Sequence, residues 1–166
     1  MELIINIIKK FIDILLTLII IFGIVFVFLY LFKIEPYVVL SGSMEPKLHT
    51  GSLSFINKNI KYEDIKKQDI VAYKTSSGVL VSHRVIKIEK DGFITQGDAN
   101  KVDDGLSVTK LNYIGKTVFN IPYVGYVVKF IQTKIGKIIS ICVIVLMIGL
   151  SFIFGDDKEK KKQKES

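Results

Sequence analysis

Two stretches of the chain carry no charge at all. The first, ILLTLIIIFGIVFVFLYLF from Ile14 to Phe32, runs for nineteen residues. At a helical rise of about 1.5 Å per residue it covers roughly 28 Å, close to the hydrocarbon thickness of a bilayer. The second, IISICVIVLMIGLSFIF from Ile138 to Phe154, has seventeen residues and predicts another spanning helix with little tilt. Between Lys33 and Lys137 the pattern changes to short β-branched runs bounded by turn residues. PYVVL, SLSFIN, DIVAYKT, VLVSHRVIKIE, GFITQ and NYIGKTVFNI each suit a short strand. Ser76, Ser77 and Gly78 mark a turn before one of them, and Lys90, Asp91 and Gly92 a tight hairpin to the next. Few stretches of the middle keep a 3.6-residue period. The pattern predicts a mainly β protein, an antiparallel folded sheet or partial barrel over residues 34–137. An N-terminal anchor lies within 1–33, a second transmembrane helix covers 138–154, and a lysine-rich tail follows over 155–166.

Composition agrees with this division. Hydrophobic residues make up 49% and charged residues 23% of 166, averages that coexist only when apolar and polar residues occupy separate blocks. The length allows one domain of about 100–150 residues and rules out a large multidomain enzyme. One cysteine, Cys142, excludes an intrachain disulfide framework and a thiolate zinc cluster; inside the second apolar run it reads as a small hydrophobe. The net charge of +7 is spread over both ends and the middle, so it reads as membrane topology and surface solvation, and nucleic acid is not an expected partner.

Lys9 and Lys10 precede the first span and five lysines lie in the tail. The positive-inside tendency therefore puts both termini in the cytoplasm and the middle outside, in a cell membrane crossed twice. Lys129, Lys134 and Lys137 flank the second span on its other side and pull the opposite way. The tail reads as a solvated, disordered flank. The first span is long for a cleaved signal peptide, and the residues after it, Lys33, Ile34, Glu35 and Pro36, offer no small-residue cleavage site. It reads as a retained anchor with Asp13 at its cytoplasmic edge.

Three places could carry chemistry. His83 and His49 are the two histidines. In an extended VLVSHRVIKI, Val79, Val81, His83 and Val85 share a face, so His83 is either a hydrogen-bonded core histidine or a base suited to neutral pH. SGSMEP, Ser41 to Pro46, is a sharply turned loop directly after a strand. Ser41 and Ser43 are either turn formers or a nucleophile with a neighbour, and Gly42 admits close backbone approach. GDANKVDDG, Gly97 to Gly105, is a solvated loop, a source of a carboxylate that orients a histidine, or a calcium loop. Its spacing does not match the EF-hand. Arg84, the one arginine, could pair with one of these acids through its planar fork.

SGSMEP after an anchor, then DIVAY, SHRV, GDANKVDD and IGKTVFNIPYVGY together resemble the signal peptidase I family over roughly Pro36 to Tyr126. The histidine in SHRV resembles the endoplasmic-reticulum, archaeal and sporulation-associated branch, where the commoner bacterial form has lysine. The resemblance implies a signal-peptidase-like β domain between two spans. It also implies a membrane-bound serine endopeptidase that removes signal peptides from translocated preproteins after Ala-x-Ala-type sites. By that resemblance Ser43 is the nucleophile and His83 the general base. Asp104 is the third catalytic member, Asp98 another essential acid, and Ser41 with the Ser43 N–H forms the oxyanion hole. Tyr37, Val38, Val39 and Leu40 pair with the substrate as a strand, and Met44 joins them in the binding region. Ala99 departs from the family, where many members have asparagine, and His49 sits in the variable KLHTG turn. The expected partners are preprotein signal peptides, the lipid bilayer and the translocation machinery, with no metal and no cofactor. Two rival readings remain: a non-catalytic, membrane-anchored module that binds peptides by strand addition, and a specialised peptidase for a narrow set of precursors.

Overall fold

The computed structural model describes residues 2–162. The chain forms α1 (Glu2–Leu31), β1 (Ile34–Val38), β2 (Leu53–Asn57), a 3-10 turn (Tyr62–Asp64), β3 (Ile70–Lys74), β4 (Leu80–Glu89), β5 (Gly92–Gln96), β6 (Ser107–Val108), β7 (Tyr113–Ile121), α2 (Val124–Gln132) and α3 (Lys134–Lys162). It divides into two compact units. One holds the chain through Phe28 and from Ile131 onward, the other Leu29–Phe130.

The first unit is helical. Leu3–Leu31 and Lys134–Ser151 are each long and apolar enough to cross a membrane. Ser151 donates its hydroxyl to Asp13 Oδ1 at 2.8 Å, and Thr17 donates to the Asp13 carbonyl at 2.7 Å. The carboxylate of α1 thus has a partner on α3. The lysine-rich tail expected over 155–166 lies, in its side chains and its last four residues, outside the described residues.

The second unit is a seven-stranded open sheet in the order β1-β2-β7-β3-β4-β5-β6, with every neighbouring pair antiparallel. This is the mainly β, antiparallel architecture that the strand pattern predicts. The first strand begins two residues earlier than PYVVL suggests. Lys33 takes a positive φ of 54° and its N–H bonds to the Tyr30 carbonyl at 2.9 Å, a left-handed helix cap that releases the chain directly into β1. The strand pattern placed no helix before Lys137, yet α2 is there. Its nine residues include Gly125 and three valines, so local propensity is weak and tertiary packing decides. A Cβ at Gly125 would lie 2.6 Å from the Ser52 carbonyl, and one at Gly51, whose φ is +80°, would lie 2.1 Å from the Tyr126 ring. The missing side chains let α2 rest on the 51–52 backbone.

The sheet is covered on both faces where β3 runs. Val71 and Tyr73 join Ile65, Val85, Phe93 and Val108 in one core, while Ile70 turns the other way to meet Met44 and Leu48. Alternation along a strand sends successive side chains to opposite faces, so β3 is buried from Ile70 to Tyr73. These two clusters set the frame for the SGSMEP turn and for His83.

Candidate active site

The turn bearing Ser43 is anchored by its own apolar residues. Met44 and Leu48 are buried against Ile70, with Val39 packed beside them, and burying a side chain of this size is worth about 1.5–3 kcal/mol. The Leu48 N–H bonds to the Met44 carbonyl at 2.9 Å, and the Glu45 N–H to that of Gly42 at 3.0 Å. Glu45 Oε1 accepts from the Thr50 N–H at 3.3 Å and the Thr50 hydroxyl at 3.2 Å, which ties the two ends of the turn together. The Glu45–Pro46 peptide is cis. Ser43 stays half-buried above this platform, and Ser41 is exposed.

His83 stands opposite Val71 in the β3–β4 register, on the face of the larger core, and is 7% exposed. Its Nε2 lies 3.0 Å from Ser43 Oγ. Its Nδ1 lies 2.8 and 2.7 Å from Asp104 Oδ1 and Oδ2. An ionised carboxylate only accepts, so Nδ1 carries the proton and donates to Asp104. That leaves the Nε2 lone pair for the Ser43 hydroxyl.

Strand β4 separates the two acids of the GDANKVDD loop. His83 and Arg84 are successive residues and point to opposite faces. His83 takes Asp104 on one face, and Arg84 takes Asp98 on the other. Arg84 Nε and Nη2 donate to Asp98 Oδ1 and Oδ2 at 2.7 and 2.6 Å, the bidentate geometry that a guanidinium favours. Arg84 Nη1 donates to the Gln68 carbonyl at 2.8 Å. The hydrogen bonds that Arg84 donates to Asp98 raise the Arg84 pKa further. The Asp98 side chain, 17% exposed, is spent on this pair, so it holds the loop and does not reach His83.

Between those anchors the loop presses on the nucleophile. The Ala99 N–H donates to the Ser43 carbonyl at 2.9 Å, which gives position 99 a backbone function that any residue except proline could serve. Gly97 lies so close that a Cβ there would sit 2.5 Å from the Ser43 carbonyl oxygen. Gly97→Ala is therefore expected to push Ser43 away from His83. A displacement of about 1 Å lowers rates by about 10²-fold, so the rate of any Ser43-dependent turnover should fall that far, while the melting temperature moves by only a few degrees. A loss of fold together with activity would assign Gly97 a purely structural part.

Of the other expected residues, Ser41 Oγ lies 3.4 Å from Ser43 Oγ. Met44 serves as the floor of the turn, since its side chain is buried in the smaller cluster. Tyr37 pairs with Ser54, and Val38 with Leu53, across β1 and β2. Val39 bonds to the segment behind it through Val39 N–H to Ser52 O and Gly51 N–H to Val39 O, both 2.9 Å. Leu40 is 72% exposed. The Tyr37 hydroxyl donates to Glu35 at 2.8 Å; burial and this carboxylate raise its pKa, and Lys58, then Tyr37, hold Glu35 below the usual carboxylate range. The bonds from Ser43 Oγ run to His83 and Ser41, not to His49.

Two side chains that sequence reasoning passed over complete the site. Tyr73 on β3 and Thr95 on β5 donate to Asp104 Oδ2 at 2.9 and 2.6 Å. Only the register shows this, because it places both on the face of His83. Together these groups can deliver a serine oxygen to a carbonyl carbon, hold its proton on a fixed imidazole and offset the resulting charge.

The family described as "Signal peptidase, peptidase S26" matches residues 10–113. The signal peptidase complex catalytic subunit SEC11C of Homo sapiens is 42% identical over 103 aligned residues, covering 54% of this chain and 53% of that protein. The SEC11C protein of Mus musculus shows the same identity and coverage. Signal peptidase I W of Bacillus subtilis (strain 168) is 35% identical over 89 residues, covering 51% of this chain and 47% of its own length. The chain spans about half the length of the curated relatives it matches.

Proposed function

Because the chain belongs to the signal peptidase family, peptidase S26, we propose that it is a membrane-bound serine endopeptidase that removes signal peptides from translocated preproteins after small residues. The observation that carries this reading is the continuous contact from Ser43 Oγ through His83 to Asp104, at 3.0 and 2.7 Å. Ser43 Oγ attacks the scissile carbonyl carbon as its proton passes to His83 Nε2. That proton then goes to the leaving amine as the C–N bond breaks, and water attacks the acyl-serine by the same route. Ser41 and the Ser43 N–H stabilise the developing oxyanion. Asp104 holds the imidazole in the tautomer required and offsets its positive charge. Asp98 serves through its pair with Arg84.

The substrate segment adds to β1, an edge strand of the sheet. Val39 bonds inward to residues 51 and 52. By the alternation of backbone groups, Val38 and Leu40 turn theirs to the open edge, where an extended peptide pairs without displacing a native strand. Pro36, at the same parity, has no N–H to offer, which limits pairing to the end of the strand nearest Ser43. Tyr37 and the exposed Leu40 flank this path.

Both apolar helices span a cell membrane in this reading, with the termini cytoplasmic and the β unit extracytoplasmic. The signal peptide's apolar run occupies the same bilayer, so enzyme and substrate share a plane, and their tethering supplies proximity. Relatives bear the name of a complex's catalytic subunit, which supports further membrane subunits or the translocation machinery as partners.

The full chain in detergent is expected to cut a precursor at an Ala-x-Ala site, with the new N-terminus read by mass spectrometry. Leucine in place of either alanine should lower the rate at least about 100-fold, since overpacking a small pocket costs about 1–3 kcal/mol at each site and misplaces the carbonyl. Binding of the precursor without cleavage would instead support a peptide-holding module.

A further inference from the structure

The triad acid of this site lies on the exposed second half of its loop, beyond the Arg84–Asp98 pair. Lys101, Val102, Asp103, Gly105 and Leu106 are all exposed, and Gly105 has a positive φ of 65°. A carboxylate on such a segment would turn about its side-chain bonds and lose its in-plane contact with an imidazole unless something fixed it. We propose that Tyr73 and Thr95 are positioning residues of the catalytic apparatus, holding the Asp104 carboxylate against His83 through hydroxyls that converge on Oδ2. The inference rests on the peptidase reading of the Ser43–His83–Asp104 contacts.

Three adjacent strands supply the arrangement. Tyr73 lies on β3, His83 on β4 and Thr95 on β5, and the register pairs Tyr73 with Val81, Val71 with His83 and Val85 with Thr95. Directly opposed residues share a face, so the phenol, the imidazole and the threonine hydroxyl all rise from the same side of the sheet. Tyr73 is 7% exposed and Thr95 0%, within or beside a core of Ile65, Val71, Val85, Phe93 and Val108. Phenylalanine and valine would fill those places with nearly the same volume, and a buried hydroxyl is costly unless bonded. Both hydroxyls spend their proton on one carboxylate oxygen.

The donor directions follow from distance. Thr95 Oγ1 lies 2.6 Å from Asp104 Oδ2 and 3.4 Å from the Tyr73 oxygen, so its hydrogen goes to the carboxylate. Tyr73 has one hydrogen, and it lies 2.9 Å from the same oxygen. Burial pushes the Tyr73 phenol up to about 12, which keeps it a donor. Thr95 holds Asp104 a second time, because its carbonyl accepts the Asp104 N–H at 2.9 Å. The Tyr73 ring also meets the His83 ring edge to face, with centroids 6.5 Å apart and planes at 70°, so one side chain bounds both partners of the Asp–His contact.

Among the described residues, Asp104 is the one charged group bonded to His83, and the Arg84–Asp98 pair next along the strand lies on the opposite face with its charges matched. Any change on removing the hydroxyls therefore passes through Asp104.

The test uses the full chain in detergent. Hydrogen bonds to a charged group contribute about 1.5–3 kcal/mol, so Tyr73→Phe and Thr95→Val are each expected to lower the single-turnover rate about 10-fold or more, with KM within about twofold. Thr95→Ser, which keeps the hydroxyl, should recover most of the rate lost in Thr95→Val. In an Asp104→Asn background the same two substitutions should cost less than about twofold, because the contact they position is already broken. The His83 Nδ1–H proton resonance, read in a Ser43→Ala chain, should lie downfield and protected, and should exchange faster once either hydroxyl is removed. An equal loss in both backgrounds, or an Nδ1–H signal unmoved by the substitutions, would overturn the proposal and leave both residues as core packing. The resonance does not depend on turnover. A wild type that cleaves no precursor would sink the peptidase reading and still let the positioning be judged.

Discussion

Replacing Ser43 by alanine is expected to abolish precursor cleavage, with a loss of roughly 10⁴–10⁶-fold in single-turnover rate, and His83→Ala should fall in the same range. Members of such a unit fail together, because a serine hydroxyl without a base is a weak nucleophile and a base without the hydroxyl has nothing to activate. The geometry supports histidine as the base in the proposed reaction. His83 Nε2 is 3.0 Å from Ser43 Oγ, and Ser41 Oγ lies 3.4 Å from the same oxygen. Lys87→Ala, which removes a largely exposed side chain paired with Glu89, should leave the rate within about twofold. The measurement is fragment yield against time at enzyme excess. A His83→Ala chain that still cuts, beside a dead lysine variant, would transfer the base role to that lysine.

The second large effect separates the two aspartates. Asp104→Asn keeps the shape of the side chain but puts an amide where His83 Nδ1 needs an acceptor. The imidazole is then free to take the tautomer that points a proton at Ser43, and the expected loss in rate is roughly 10³–10⁴-fold, with the melting temperature nearly unchanged. Asp98→Asn should behave differently. It breaks the bidentate contact with Arg84 and leaves a partly buried guanidinium short of its counter-charge. The expected result is a stability loss of about 1–3 kcal/mol with a smaller fall in rate, as loop 97–106 loosens around the Ser43 carbonyl. Thermal unfolding and cleavage measured on the same two proteins decide the matter. If Asp98→Asn costs as much rate as Asp104→Asn at full stability, then Asp98 enters the chemistry directly.

Several parts of this were legible along the chain. The apolar runs were readable as helices because a charge-free stretch long enough to cross a membrane satisfies its backbone within itself only as a helix. The runs around Phe55, Val71, His83, Phe93 and Phe119 had to be strands because β-branched and aromatic residues alternate there between turn signals. Each of those five runs forms a strand. The two-residue strand β6 and helix α2 were not legible. Ser107–Val108 is too short to show a period, and α2 exists where Gly51 and Gly125 let two backbones touch.

The same boundary runs through the site. Sequence alone determined which residue types were available, two histidines, a serine turn after an apolar run and an acidic loop, and the family resemblance implied the roles of Ser43 and His83. It could not say which aspartate serves the histidine, because Asp98 and Asp104 are both near enough in sequence to reach β4. The tertiary structure decided that, since the pleat sends His83 and Arg84 to opposite faces and the loop passes one acid to each. It also brought Tyr73 and Thr95, which read locally as ordinary strand residues, to the Asp104 carboxylate. Local pattern records which way a side chain alternates, and only strand register, fixed by packing across the sheet, records what it meets there.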